Sequence, residues 1–179
     1  MLCLGAQAYA LEIVGVKLDN YIQLESHDLV INGAGMRSKY YFRLYVAALY
    51  LPERTRNVNI VLADNGAKRM LFHMLSDVSG KEMLGTLTET VSANHSAAEM
   101  KALQARLNAF SAMFMAVSKL KTGDVITFDY IPGTGTRVTI AGVVKGSIEG
   151  ADFNRALLKI WVGDKPVQED LKTSLLGKD

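Results

Sequence analysis

Cysteine is almost missing from this chain: Cys3 is the sole thiol among 179 residues. An internal disulfide is thereby excluded, and so is any metal site built on several thiolates. Histidine is scarce too. His27, His73 and His95 lie far apart, and none belongs to a spacing that ligates a metal. No block of lysine and arginine appears, and 20 basic against 18 acidic residues leave a formal charge of +2. Overall charge therefore favours neither nucleic acid nor an acidic membrane surface as partner. No apolar run beyond the first residues approaches the length of a transmembrane helix. The sequence has no G-x-S-x-G elbow, and Gly33-Ala34-Gly35 lacks the third glycine of a dinucleotide fingerprint. Glycines 133 and 135 read as turn formers rather than a phosphate cradle, so no cofactor is expected.

What is present is globular. The chain is 49% hydrophobic and 21% charged, outside the range of disordered segments. Its length fits one domain with a substantial core. Residues 1–10 read as the remnant of a secretory signal: they are apolar, and Ala8-Tyr9-Ala10 forms a small-x-small cleavage triplet. A basic n-region is absent, and the alternative is an apolar first strand running into residues 11–18. Export, to the periplasm or outside the cell, is the expectation, with residues 11–179 as a single domain. Cleavage after Ala10 leaves a chain without cysteine.

Alternation predicts strands over residues 12–18 and 21–32, the second ending at Gly33-Ala34-Gly35. Residues 40–51 form the strongest strand pattern, closed by Pro52. Residues 68–75 read as the next strand, after a short helical or irregular segment near 58–63. Two capping boxes, Ser79-x-x-Glu82 and Ser96-x-x-Glu99, open helices. In the second, Met100, Leu103, Leu107, Phe110, Phe114 and Val117 make one apolar face. A hairpin follows over 125–131 and 137–140, then a short strand to Ile148. A helix over 152–162 stops at Gly163, and Pro166 is read as opening the last helix. Runs of strands and then helices predict an α+β fold, a mostly antiparallel sheet covered on one face by helices.

The unusual segment is Asn32-Gly33-Ala34-Gly35-Met36-Arg37 and the aromatic strand after it. Strict alternation puts Tyr41, Arg43, Tyr45 and Ala47 on one side, with Arg37 just before them on a glycine-rich turn. A guanidinium and a phenol facing a semi-apolar cavity suit a carboxylate, because arginine offers a planar charged fork and tyrosine one further donor. The same residues also suit an exposed face or a structural ion pair.

At this segment the chain resembles the chalcone isomerase superfamily. Gly33-Ala34-Gly35-Met36-Arg37 is similar to that family's G-A-G-x-R, and Val46-Ala47-Ala48-Leu49-Tyr50-Leu51 to its next strand. Ala156 to Gly163 and Asp170-Leu171-Lys172 resemble its C-terminal helices, and the bacterial chalcone-isomerase-like branch is the nearest in pattern. The resemblance implies an open-faced β-sandwich with a ligand cleft between the large sheet and its helices. It also implies that Arg37 occupies the arginine position of the enzymes. Tyr45, Met83, Thr90 and Ile160 stand where the enzymes carry assisting polar residues, so catalytic residues are not assigned. The arginine–tyrosine pair resembles instead the plant fatty-acid-binding members. The implied function is binding of a small amphipathic carboxylate by Arg37, Tyr45, Arg43, Tyr41, Met83, Thr90 and Ile160. Leu87, Phe110, Met113 and Phe114 suit an apolar lining or plain core. A residual or different isomerase and a ligand-free envelope interaction protein stand as alternatives.

Overall fold

The computed structural model describes residues 10–178. Cys3 and the first two residues of the cleavage triplet lie outside them. The chain opens with two tight hairpins. Strands β1 (Leu11–Ile13) and β2 (Val16–Leu18) pair around Val14-Gly15, and β3 (Tyr21–Leu24) pairs with β4 (His27–Lys39). Each of the first two expected strands is thus a hairpin, because Val14, Gly15 and Glu25 take the positive φ of short turns. Next come β5 (Phe42–Leu51), α1 (Val58–Ala63), β6 (Lys68–Met74) and β7 (Val78–Ser79). Then follow α2 (Gly80–Ala93), α3 (Ala97–Met115), β8 (Lys119–Leu120), β9 (Val125–Ile131), β10 (Gly135–Ile140) and β11 (Val143–Ile148). Helices α4 (Ala151–Val162) and α5 (Glu169–Leu175) finish the chain. Seven strands form one antiparallel sheet in the order β11-β10-β9-β6-β5-β4-β3.

Both capping boxes are made, with Ser79 and Ser96 bonding reciprocally to Glu82 and Glu99. Helix α5 starts later than Pro166 suggests. Residues 163–167 bend irregularly, with the Val167 N–H donating to the Ile160 carbonyl at 2.7 Å, and Gln168, extended, is the N-cap. The delay frees the Gln168 side chain for the work described below.

The glycine-rich segment is no turn. Residues 33–35 continue β4, and a Cβ on Gly33 would stand 2.0 Å from the Ser174 carbonyl oxygen. One on Gly35 would come within 2.8 Å of Ser174 Cβ. These glycines let α5 lie directly on the strand. Asn32, at a bulge beside them, donates to the Leu175 carbonyl at 2.8 Å and accepts from the Thr55 N–H at 2.7 Å. The last helix is therefore seated on β4 by backbone contact as well as by Leu171 and Leu175.

The main core lies between the sheet and the helices. Phe72 and Phe128 from the sheet meet Trp161 of α4 and Phe110 of α3, with ring centroids 4.7–6.0 Å apart. Phe110 and Phe114 are wholly buried here, and Met113 packs at the edge, so all three serve as core. A second apolar cluster (Leu18, Leu24, Ile31, Val46, Tyr50) fills the other face of the curled sheet.

Candidate functional site

Arg37 and Tyr45 are direct cross-strand partners of β4 and β5. At that point the ladder slips: Arg37 pairs with Tyr45 but Ser38 pairs with Arg43, which leaves Leu44 as an extra residue. A bulge of this kind resets the alternation of side chains. Phe42, Leu44 and Tyr45 all line a cleft on the helix side, whereas Arg43 is exposed and outside it. Tyr41 sits in the hairpin turn, fully exposed at 101%. The expected grouping of Tyr41, Arg43 and Tyr45 on one face is thus corrected. Simple alternation failed because one residue was inserted into the ladder.

Tyr45 is buried, and its hydroxyl oxygen accepts the Trp161 Nε1–H at 3.0 Å. Burial pushes the phenol above its ordinary range, against the opposing effects of the Trp161 hydrogen bond and the Arg37 charge. It therefore stays protonated. With the oxygen already accepting from tryptophan, the phenol's own proton has no acceptor among the described residues and is left for a ligand.

Arg37 is anchored from one side only. Its Nη1 donates to the Ser38 carbonyl and, at 3.2 Å, to Gln168 Oε1. The same amide oxygen accepts the Ser38 N–H at 3.0 Å, and Gln168 Nε2 donates to the Met36 carbonyl at 3.1 Å. Gln168 thereby clamps the bulge across the N-terminus of α5. Among the described residues Arg37 forms no ion pair, and its guanidinium acts on the Tyr45 phenol by charge and by hydrogen bond. A guanidinium paired with no carboxylate and set beside a phenol can be offered to an oxyanion.

The cleft beside this pair has a volume of about 420 Å³, within the range of about 300–1,000 Å³ usual for small-molecule sites. Leu44, Met83, Leu87, Ile160 and Val167 give it an apolar wall. Met83 and Ile160 thus line it, as does Tyr45. Thr90 does not: it lies on an adjoining shelf with Lys39 and Lys165, and its hydroxyl donates to the Thr86 carbonyl at 2.8 Å. Behind Met83 and Leu87, the seam toward Phe114 and Trp161 is too narrow to hold a water molecule, which closes the inner end.

Three carboxylates stand at the rim, Asp77, Glu82 and Glu89. Two are already engaged. Hydrogen bonds from the Ser79 hydroxyl and N–H hold Glu82 below the usual carboxylate range, helped by the nearby Lys39 charge. The Thr122 N–H and hydroxyl do the same for Asp77, with Lys119 adding to them. No group of histidine, cysteine and carboxylate side chains suited to a metal occurs among the described residues.

A family model described as chalcone isomerase-like matches residues 10–177. The chain belongs to the chalcone isomerase-like family. Its structure is similar to the crystal structure of a fatty-acid binding protein from Arabidopsis thaliana, with a TM-score of 0.74 and 15% identity. The match covers 90% of this chain and 92% of that one. At such low identity the likeness shows the fold, a large curled antiparallel sheet with helices, as expected for this family. No curated protein sequence matches the chain.

Sequence reasoning missed the two residues that prepare this site. Gln168 carries no motif and was hidden by reading Pro166 as the start of a helix. Trp161 falls on the apolar stripe of α4 with Phe153, Leu157 and Ile160, but nothing in a helical stripe says where an indole N–H points. Alternation alone sets Phe42 and Leu44 opposite Tyr45, and the bulge brings all three to the cleft.

Proposed function

We propose that this family member is a non-catalytic binder of a small amphipathic carboxylate, of the fatty-acid type, in the cleft between β4–β5 and helices α2 and α4. The observation that carries the reading is the Arg37 guanidinium, paired with no carboxylate among the described residues, beside the neutral Tyr45 phenol at the mouth of an apolar cleft. A carboxylate there receives a charge-assisted pair of hydrogen bonds and a phenol donor, while its chain lies along Leu44, Met83, Leu87 and Ile160. Binding of fatty acid by a structurally similar protein supports the same ligand class.

Catalysis of the isomerase type lacks most of the polar groups that assist it, Arg37 and Tyr45 apart. Met83 and Ile160 offer no hydrogen bond, and the Thr90 hydroxyl, on the shelf adjoining the cleft, donates to its own helix. Without such groups a substrate is held but not steered through a transition state. A periplasmic or secreted setting suits this role, on the strength of the Ala8-Tyr9-Ala10 triplet.

Native mass spectrometry of the purified protein, followed by organic extraction, tests the reading. One fatty acid or similar carboxylate per chain supports it. A bare mass that persists after addition of fatty acids of several lengths would refute it.

A further inference from the structure

We infer that the β4–β5 hairpin tip is a membrane-docking finger that brings the mouth of the cleft against an anionic lipid bilayer. The inference rests on the proposed lipid-like ligand, to which it adds the surface the ligand comes from.

Three consecutive aromatic side chains project from this tip, Tyr40 at 86% exposure, Tyr41 at 101% and Phe42 at 67%. They are flanked by Lys39 and Arg43, both exposed. Neither base forms an ion pair among the described residues, although Glu82 lies near enough to Lys39 to feel its charge. Aromatic residues with one apolar and one polar end settle at the headgroup level of a bilayer, and adjacent bases are drawn to anionic lipid. Isolated apolar residues on a surface need no explanation, but three in a row between two bases form a patch of defined chemistry.

Tyr40 has φ +54°, the same left-handed turn geometry that Val14, Glu25 and Ala141 take elsewhere in the chain, so the backbone of the tip is ordinary and its side chains are what set it apart.

Position decides what the finger is for. Lys39 and Phe42 belong both to the tip and to the wall of the cleft, and Arg37 stands two residues inward on the same strand. A tip lodged among headgroups therefore sets the Arg37–Tyr45 end of the cleft at the bilayer surface, where a fatty acid carboxylate resides. The near-neutral total charge of the chain gives no hint of this, because attraction falls off within about 8–10 Å at physiological salt and only local charges act.

The test uses sedimentation with vesicles of phosphatidylcholine containing phosphatidylglycerol, against vesicles of phosphatidylcholine alone. The double variant Tyr40→Asn, Tyr41→Ser keeps a turn-compatible residue at the positive φ and removes two of the aromatics. The wild type is expected to partition onto the anionic vesicles, and the variant about tenfold less. Arg43→Gln is expected to weaken partitioning about fivefold. Affinity of the double variant for a fluorescent fatty acid in solution is expected to stay within about twofold of wild type, which also verifies folding. Vesicle binding without any fatty acid binding would sustain this inference while refuting the proposed ligand. Absence of wild-type binding to anionic vesicles, or equal binding by the double variant, would overturn it. So would a wild type that only self-associates through the tip and ignores vesicles.

Discussion

Tyr45 shows how one buried group can serve both fold and site. Its oxygen accepts the Trp161 N–H, and its hydroxyl, at the cleft, has no protein acceptor among the described residues. Tyr45→Phe therefore has two expected effects. The indole N–H loses its buried acceptor, and unfolding free energy falls by about 1–3 kcal/mol in urea titration. Fatty acid affinity falls by about 1 kcal/mol, close to fivefold, with the stoichiometry unchanged. An affinity identical to wild type would place the phenol outside the ligand's reach. Arg37 and Tyr45 were both visible in the sequence, through G-A-G-x-R and the aromatic strand. Their support was not, because Gln168 and Trp161 act through direction, and direction depends on where helices α4 and α5 come to rest.

At the scale of elements, the seat of α5 on β4 governs the site. Gly33 and Gly35 admit the helix, and the helix brings Gln168 to Arg37. Gly33→Ala puts a methyl group into the backbone of residues 174–175, with no side chain to move aside. The expected loss is about 1–3 kcal/mol of stability, as for overpacked cores, together with weaker fatty acid binding as the Gln168 clamp shifts. Unchanged thermal melting and affinity would show that α5 adjusts freely. Sequence patterns located the helices α2, α3 and α4 and strands β6, β9 and β10 because capping boxes, apolar stripes and turn glycines are local signals. They misread β4, since glycines are turn formers until a helix is known to lie on them. They misread β5 at the bulge, since an inserted residue leaves no mark in the alternation itself.

On the scale of the whole molecule, the two apolar layers of the curled sheet each hold a tyrosine, and these link stability to alkaline pH. Burial raises the Tyr50 phenol to about 12, and its hydroxyl donates to the Asp19 carbonyl at 2.9 Å. Tyr45 is raised as well, again by burial first. An unfolded phenol ionises near about pH 10. The folded state thus keeps these protons where the unfolded state releases them. Their contribution is complete below about pH 10 and is lost as pH rises through the folded values. The urea midpoint is expected to decline between about pH 10 and 12, and Tyr50→Phe to flatten the decline. A midpoint independent of pH in that window would contradict the assigned burial.

The central claim concerns Arg37, and calorimetric titration of a fatty acid against its methyl ester tests it most directly. The wild type is expected to bind one free acid per chain and to discriminate against the ester. Arg37→Ala is expected to lose about 1.5–3 kcal/mol for the acid, roughly 10- to 150-fold, and to lose the discrimination. Equal affinity of wild type and Arg37→Ala for the free acid, or no preference of wild type for acid over ester, would contradict the account.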